Sequence, residues 1–295
     1  MRTVTVMMSV YNGQRFLQEQ IDSILAQDGV DVRLIIRDDG SMDATRRIIE
    51  GYGDLVEARC GDNLGVCESF LQVAFDAPLD SDFYAFSDAD DVWETDKLLR
   101  GVTAIEQCNG PALYASRMKL VDERLNFIGW SPDISGKLGF GHALVQGGLG
   151  GATAVMNRSL FELFRSHRPR RATLHDHWLY LLSSGLGEVR FDRDSRILYR
   201  QHGSNTIGGR PSGAKLWARR LTEVLQKDKA KRQAEEFHEI FGHALSTEKR
   251  AVIQKYIWHG STLYRRLSFA ISNPLIFNNK KSKLFYAVRV LGGRT

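Results

Sequence analysis

Three aspartates that could bind a cation follow the short apolar run Phe83–Phe86. Asp88, Asp90 and Asp91 stand within four residues, with only Ala89 among them. Carboxylates this close repel one another unless a cation lies between them, and a small cluster of hard oxygen ligands suits Mg²⁺ or Mn²⁺. Such an ion would bridge the phosphates of a nucleotide and neutralise the charge on a leaving diphosphate. The alternative is an acidic turn that caps the next helix, because aspartate is a favourable N-cap residue.

A second acidic pair, Asp38 and Asp39, follows the predicted strand Val32–Ile36 and precedes Gly40. A carboxylate at the end of a strand can accept hydrogen bonds from a nucleotide base or from ribose hydroxyls. The alternative is a turn in which these aspartates cap the following helix. From the residues alone, both interpretations stay open.

Two histidine-containing segments offer groups for proton transfer or metal binding. Asp176 lies between His175 and His177 and is a candidate general base. A metal site made by these two histidines is disfavoured, because residues two apart on a helix point away from each other. His202 ends a predicted strand over residues 197–201. The alternatives are an aspartate that only caps a helix and a histidine with an ordinary polar role.

The elements that must position these groups alternate in type along the first hundred residues. Predicted strands cover residues 3–10, 32–36, 56–60 and 83–86, and a helical pattern occupies each interval between them. This alternation is typical of a doubly wound, mostly parallel α/β sheet, in which ligands bind at the carboxyl ends of the strands. Both acidic groups and the turn at Tyr11 and Asn12 follow such strands, so we expect them at one edge.

A glycine-rich segment, Gly139–Gly151, would let the backbone approach a ligand closely. It does not match the Walker pattern, which needs Gly-Lys-Ser/Thr, and no G-x-G-x-x-G fingerprint follows the first strand. The sequence therefore disfavours a P-loop NTPase and a plain dinucleotide-binding enzyme.

Charge divides the chain of 295 residues unevenly. From Arg210 to the end there are 18 Lys and Arg against 6 Asp and Glu, a balance of +12, and the rest carries 22 against 29, a balance of −7. A basic, mainly helical extension on an acidic body favours contact with an anionic partner, either membrane phospholipid or nucleic acid. The alternative is a solvated tail that packs on the catalytic body or on a second subunit. We expect a body at 1–210, with halves at 1–100 and 101–210, and an extension at 211–295.

The chain holds no run of about 18 apolar residues, and its first apolar stretch is too short for a secretory signal. Its three cysteines show no zinc-like spacing. We therefore expect a cytoplasmic protein, either free of the membrane or peripheral on its inner face through the extension.

The order and spacing of four segments resemble the family 2 glycosyltransferases. They are Ser9–Gly13, Asp38–Thr45, Asn63–Gly65 and Phe86–Trp93. The later segments 175–178 and 199–205 look like the branch that includes bacterial rhamnosyltransferases. The resemblance covers roughly residues 3 to 210 and implies a GT-A fold with inverting sugar transfer.

On the donor side, the resemblance implies that Tyr11 packs on the nucleotide base with Asn12 nearby. Asp39, or else Asp38, would bond the base edge or the ribose, and Asp88 would face the ribose or the sugar. Many rhamnosyl relatives carry Gln where this chain has Ala89.

On the metal and acceptor side, the resemblance implies that Asp90 is a direct ligand of Mg²⁺ or Mn²⁺ and that His202 lies near the metal or the diphosphate. Asp176 occupies the position of the catalytic base. The remaining members are expected to support the metal motif or to line the acceptor and sugar pocket: Asp91, Gly150, Gly151, His175 and Trp178.

The implied activity is transfer of L-rhamnose from dTDP-rhamnose to a saccharide or a lipid-linked saccharide of a cell-surface polysaccharide, by a monomer or a homodimer without nucleic acid.

One alternative is a nucleotidyltransferase, but the first loop lacks the glycine-rich, Lys- or Arg-bearing pattern that would hold a triphosphate. A second alternative is a nucleic-acid-binding protein that uses the basic tail. The acidic body and the absence of a finger, helix-turn-helix or RNP pattern disfavour it.

Overall fold

A computed structural model describes residues 1–146, 149–203, 229–258, 262–278 and 280–291. A seven-stranded sheet forms the centre, in the order β10-β6-β9-β4-β1-β2-β3. Its strands are β1 (Arg2–Val10), β2 (Val30–Asp38), β3 (Val56–Cys60), β4 (Phe83–Ser87), β6 (Ala112–Ser116), β9 (Val155–Asn157) and β10 (Glu188–Asp192).

The pairing confirms the predicted parallel arrangement of the first four strands. β1 pairs in parallel with β2 and with β4, and β2 pairs in parallel with β3. β9 is the exception, because it runs antiparallel to both β4 and β6. A 3-10 turn at Gly151–Thr153 directly precedes β9.

Helices cover both faces of this sheet: α1 (Leu17–Leu25), α2 (Thr45–Glu50), α3 (Val66–Asp76), α4 (Lys97–Ile105), α5 (Phe140–Ala143), α6 (Arg158–Arg165) and α7 (His175–Leu186). Alternation along β1 explains the two layers of core. Val6 and Met8 face the layer that contains Ile21 of α1, and Met7 faces the layer that contains Phe70 of α3. The sheet is therefore buried on both sides, which leaves its strand ends as the place for a site.

A smaller sheet, in the order β5-β11-β7-β8, stands beside the carboxyl ends of the main strands. Its strands are β5 (Val92–Trp93), β11 (Ile197–Arg200), β7 (Lys119–Val121) and β8 (Phe127–Trp130). β11 pairs antiparallel with β5, which directly follows the acidic turn. This pairing returns a distant segment of the chain to Asp90 and Asp91.

The C-terminal segment packs onto the α7 side of the sheet. Its helices are α8 (residues 229–241), α9 (Thr247–Trp258), α10 (Leu263–Ile271) and α11 (Lys280–Leu291). Phe237 of α8 and Tyr256 of α9 belong to the same buried cluster as Trp178 of α7. The predicted boundary at residue 210 and the first part of the predicted extension, residues 211–228, lie outside the described residues.

Within the described ranges, no helix is both long enough and apolar enough to cross a membrane.

Candidate active site

The loops after β1 and β2 are joined by hydrogen bonds. The Asn12 amide donates to Ser41 Oγ at 2.8 Å, and the Met42 amide donates to Asn12 Oδ1 at 2.9 Å. Ser41 therefore holds Asn12 in place, and Asp43 Oδ1 accepts the Thr45 amide at 2.9 Å. Tyr11 remains 48% exposed beside this junction, so its ring is available for stacking.

The carboxylates of Asp38 and Asp39 are buried and serve the surrounding backbone. Asp39 forms an ion pair with Arg37 and accepts the amides of Leu64 at 2.9 Å and Gly65 at 3.0 Å. Asp38 Oδ1 accepts the Ser41 amide at 3.0 Å, while Asp38 Oδ2 has no hydrogen-bond partner among the described residues. Asp38 therefore keeps an oxygen without a hydrogen bond, whereas both oxygens of Asp39 accept bonds that hold the 62–65 loop.

The turn after β4 concentrates negative charge. Carboxylate oxygens of Asp88, Asp90 and Asp91 all lie within 4.8 Å of one another. Burial, with the charges of Asp90 and Asp176, raises the pKa of Asp88 to about 7. Burial and its two neighbouring aspartates also raise the pKa of Asp91 well above its ordinary value. A free energy cost of this kind is relieved by a cation, and the oxygen donors fit Mg²⁺ or Mn²⁺.

His202 extends this cluster from the end of β11. Its Nε2 lies 2.7 Å from Asp90 Oδ2, so the imidazole and the carboxylate are hydrogen-bonded to each other. The ring of Phe16 stands 5.1 Å from the His202 ring and packs against it. The carboxylate oxygens of this cluster suit Mg²⁺ or Mn²⁺, and His202 adds a nitrogen donor beside them.

Arg200 was not singled out from the sequence, although it holds the acidic turn in place. Its amide donates to Asp91 Oδ1 at 3.0 Å, and its Nε donates to the Asp90 carbonyl at 2.8 Å. The other nitrogens donate to the Glu123 carbonyl at 2.6 Å and to the Glu19 carboxylate of α1. The guanidinium is buried and connects α1, the β7–β8 loop and the turn. Period-two alternation, which places residue 200 on the same face as His202, could have drawn attention to it.

Asp176 begins α7 and faces the same charged region. Its Oδ2 accepts the Gly151 amide at 3.0 Å, and its Oδ1 has no hydrogen-bond partner among the described residues. A Cβ at Gly151 would stand 3.2 Å from the Asp176 Cβ and 2.9 Å from His175 Nε2, so glycine permits this close approach. Gly150 lies against the side chain of Met118 at the same bend. The charge of Asp176 helps to raise the pKa of Asp88, which shows that the two carboxylates share one field.

Two residues predicted for the acceptor pocket lie elsewhere. Trp178 is fully buried, with its ring 5.8 Å from Phe237 of α8 and 6.3 Å from Phe241, so its assignment to the pocket is wrong. Asp91 is fully buried as well, and it supports the turn through Arg200 instead of lining a pocket. The reason in both cases is that the side chain points into the protein, one into the α7–α8 core and the other under the turn.

His175 is buried next to Gly151. Its ring stacks on Phe70 at 3.9 Å and meets Phe86 edge-on at 4.6 Å. Burial lowers its pKa to about 4, so the imidazole is neutral at neutral pH. His175 is 5% exposed, and its Nε2 would lie 2.9 Å from a Cβ at Gly151.

The family model described as "Glycosyl transferase family 2" matches residues 5–164. The chain belongs to this family. That range contains both acidic loops and the glycine bend. The chain is thus a glycosyltransferase, and this assignment favours sugar transfer over the nucleotidyltransferase and nucleic-acid-binding alternatives.

Similar proteins agree with this assignment. The dTDP-rhamnosyl transferase RfbG of Shigella flexneri is 28% identical over 222 residues, which cover 68% of this chain and 73% of the relative. An uncharacterized glycosyltransferase of Rickettsia conorii is 25% identical over 240 residues, and the match spans 77% of this chain but 39% of that longer protein.

The fold is shared with a solved structure. Residues 1–349 of S. aureus TarS, in complex with UDP-GlcNAc, superpose with a TM-score of 0.56 at 15% identity, covering 98% of this chain and 90% of that one. The predicted α/β GT-A class, with its mostly parallel sheet flanked by helices, is confirmed.

Proposed function

We propose that the chain transfers L-rhamnose from dTDP-rhamnose, with inversion, to a hydroxyl of a saccharide acceptor carried on a lipid in cell-surface polysaccharide synthesis. The sugar and its nucleotide come from the similarity to the Shigella transferase, whose name states that donor. The observation that carries the catalytic part is the placement of Asp176 at the start of α7, with one oxygen fixed by the Gly151 amide and the other without a hydrogen bond among the described residues.

The donor would lie across the ends of β1, β2 and β4. The exposed ring of Tyr11 offers a stacking surface for the base. Asp38 Oδ2, which lies 3.7 Å from Arg46 Nε and has no hydrogen bond among the described residues, offers an acceptor for a base or ribose donor group. Asp88, between Asp90 and Asp176, would face the ribose or the sugar. We assign residues 1–100 to the donor half and 101–210 to the acceptor half.

A divalent ion fits the acidic turn, since three carboxylates crowd there and burial with their mutual repulsion raises the pKa of Asp88 and of Asp91. Asp90 and His202 would hold it, with Asp88 and Asp91 adding negative charge around it. When bound, Mg²⁺ or Mn²⁺ would supply positive charge for the leaving nucleoside diphosphate.

Asp176 would take the proton from the attacking acceptor hydroxyl. The hydroxyl oxygen forms a bond to the anomeric carbon as the bond from that carbon to the diphosphate oxygen breaks, so the configuration inverts in one displacement. The Gly151 amide fixes the carboxylate so that its other oxygen can receive the proton. No covalent bond to the protein is required.

The test is a transfer assay with Mn²⁺ that compares dTDP-rhamnose, UDP-GlcNAc and GDP-mannose as donors, using wild-type protein and Asp176→Asn. We expect nucleotide release with dTDP-rhamnose alone, and a loss in kcat of about 10²- to 10⁴-fold in the variant with unchanged nucleotide affinity. Asp28→Asn, on the exposed loop between α1 and β2, is the matched control. An active Asp176→Asn variant would move the base elsewhere, and turnover of another donor would overturn the sugar assignment.

A further inference from the structure

Two helices near the C-terminus carry apolar side chains on their outer faces. Tyr264, Leu267 and Ile271 recur at spacings of three and four along α10, and Tyr264 and Ile271 are 80% and 86% exposed. A second exposed set recurs at the same spacings along α11: Leu284, Val288 and Leu291. Residues with this spacing share one face of a helix, so each helix presents an apolar stripe to solvent.

These stripes are not the faces that hold the helices to the protein. Phe269 of α10 and Val290 of α11 are fully buried, and Tyr286 packs 6.0 Å from Phe269 and 5.4 Å from Phe277. Each helix therefore has one apolar face in the core and another outside. A pair of contiguous exposed apolar stripes marks a surface that meets another apolar phase.

We propose that the outer faces of α10 and α11 dock on the surface of an anionic lipid bilayer. We call this region, defined by the six exposed residues of the two stripes, the outer face. The proposal rests on the proposed function insofar as a lipid-carried acceptor would be met at that surface.

Charge selects a lipid surface over a second copy of the chain. Between Lys249 and the C-terminus there are 10 Lys and Arg and no Asp or Glu. Lys280 and Lys283 are exposed on α11 next to Leu284. A two-fold dimer through this face would place the same basic patch against itself, which is unfavourable. Phospholipid supplies both the negative charge that attracts the lysines and the apolar phase that accepts the stripes.

The outer face is attached to the acceptor side of the active site. Asn278, between α10 and α11, bonds His142 Nε2 of α5 at 2.9 Å and accepts Lys137 Nζ at 2.6 Å through its carbonyl. The Ile276 amide donates to the Gly141 carbonyl at 3.2 Å. Since α5 belongs to the segment that leads to Gly150, docking of the outer face would hold the acceptor half at the bilayer.

Vesicle co-sedimentation of the full chain tests the proposal directly. The vesicles contain phosphatidylcholine alone or with 30% phosphatidylglycerol, at low salt, with no donor or acceptor present. We expect binding to the anionic vesicles only. Ile271→Glu/Leu284→Glu should abolish it, and Lys280→Gln/Lys283→Gln should weaken it about thirtyfold, because each of the two lysines near a membrane surface contributes about 1 kcal/mol and about 1.4 kcal/mol is a factor of ten. Leu55→Glu, which changes a 66% exposed leucine in the turn before β3, is the matched control.

Three results would overturn the docking proposal. They are no binding of the wild-type chain to anionic vesicles, undiminished binding of Ile271→Glu/Leu284→Glu, and loss of a wild-type dimer in that variant by size-exclusion chromatography with light scattering. Circular dichroism verifies that each variant is folded. Transfer to a water-soluble acceptor should be the same in Ile271→Glu/Leu284→Glu as in wild type, so failure of docking and failure of the proposed transfer are read out separately.

Discussion

Two acidic loops flank β1, one after β2 and one after β4, and their charges are balanced in opposite ways. The carboxylate of Asp39 receives the guanidinium of Arg37 and two backbone amides, which compensate its burial. In the turn after β4, Asp88 and Asp90 face each other, and burial with this repulsion raises the pKa of Asp88 to about 7. Asp39 is thus compensated within the protein, whereas the second loop has an excess of negative charge.

The nearby cations Arg200 and Lys97 do not remove this excess, since the pKa of Asp91 stays well above its ordinary value beside them. Lys97 is buried with its Nζ 3.4 Å from the centre of the Trp93 ring and has no hydrogen-bond partner among the described residues. Burial lowers the pKa of Lys97 to about 7, which weakens it as a permanent counter-charge for Asp91. The comparison teaches that an aspartate at a strand end is a scaffold when the protein neutralises it, as with Asp39, and a candidate ligand when it does not.

The largest predicted effect is on the affinity for Mn²⁺, which a substitution in the turn after β4 should lower and a matched substitution in the loop after β2 should not. Asp90→Asn removes a charged ligand, so we expect the affinity for Mn²⁺ in the presence of dTDP to fall by about 100-fold or more, measured by titration calorimetry. Asp39→Asn, a matched change in the other loop, should leave that affinity within about threefold while costing roughly 1–3 kcal/mol of stability. Equal losses of metal affinity in both variants would erase the distinction between the loops.

A smaller effect should follow from Arg200, which positions the acidic turn without contacting the substrate. Lysine cannot reproduce the several directed bonds of the guanidinium, so Arg200→Lys should weaken Mn²⁺ binding by about 10- to 100-fold. Glu19→Gln should have a weaker effect, because the Glu19 side chain is 58% exposed while that of Arg200 is 1% exposed. The measurement is the Mn²⁺ dependence of kcat and KM. A variant that loses stability but keeps its Mn²⁺ dependence would show that Arg200 is only structural.

Much of this arrangement was predictable from local sequence signals. Strand-helix alternation placed Tyr11, Asp38 and Asp88 at the carboxyl ends of neighbouring strands, and the structure confirms that placement. Such a prediction needs no long-range information, because parallel strands bring their ends to one edge whatever the helices between them.

The contacts between distant segments were beyond sequence reasoning. The pairing of β11 with β5 brings Arg200 and His202 to the acidic turn across more than a hundred residues. Trp178 follows Asp176 by two positions in the segment that resembles the family motif, and for this reason both were predicted to lie at the site. On a helix, two positions turn the side chain away, and Trp178 meets Phe237 of α8 instead. No local pattern identifies which helix will cover that face.

The smallest effect should appear in the stability of the metal-free protein, where the two loops should respond with opposite sign. Asp88→Asn removes a like charge from the turn after β4, so we expect Tm in the presence of EDTA to rise by a few degrees. Asp39→Asn removes the partner of Arg37 and weakens the bonds to the 62–65 loop, so its Tm should fall. Excess Mn²⁺ with dTDP should raise Tm in wild type more than in Asp88→Asn, because ligand binding to the folded state alone stabilises it. If Asp88→Asn lowered Tm in EDTA as Asp39→Asn does, the turn after β4 would be as fully neutralised as the loop after β2, and the argument for a cation there would fail.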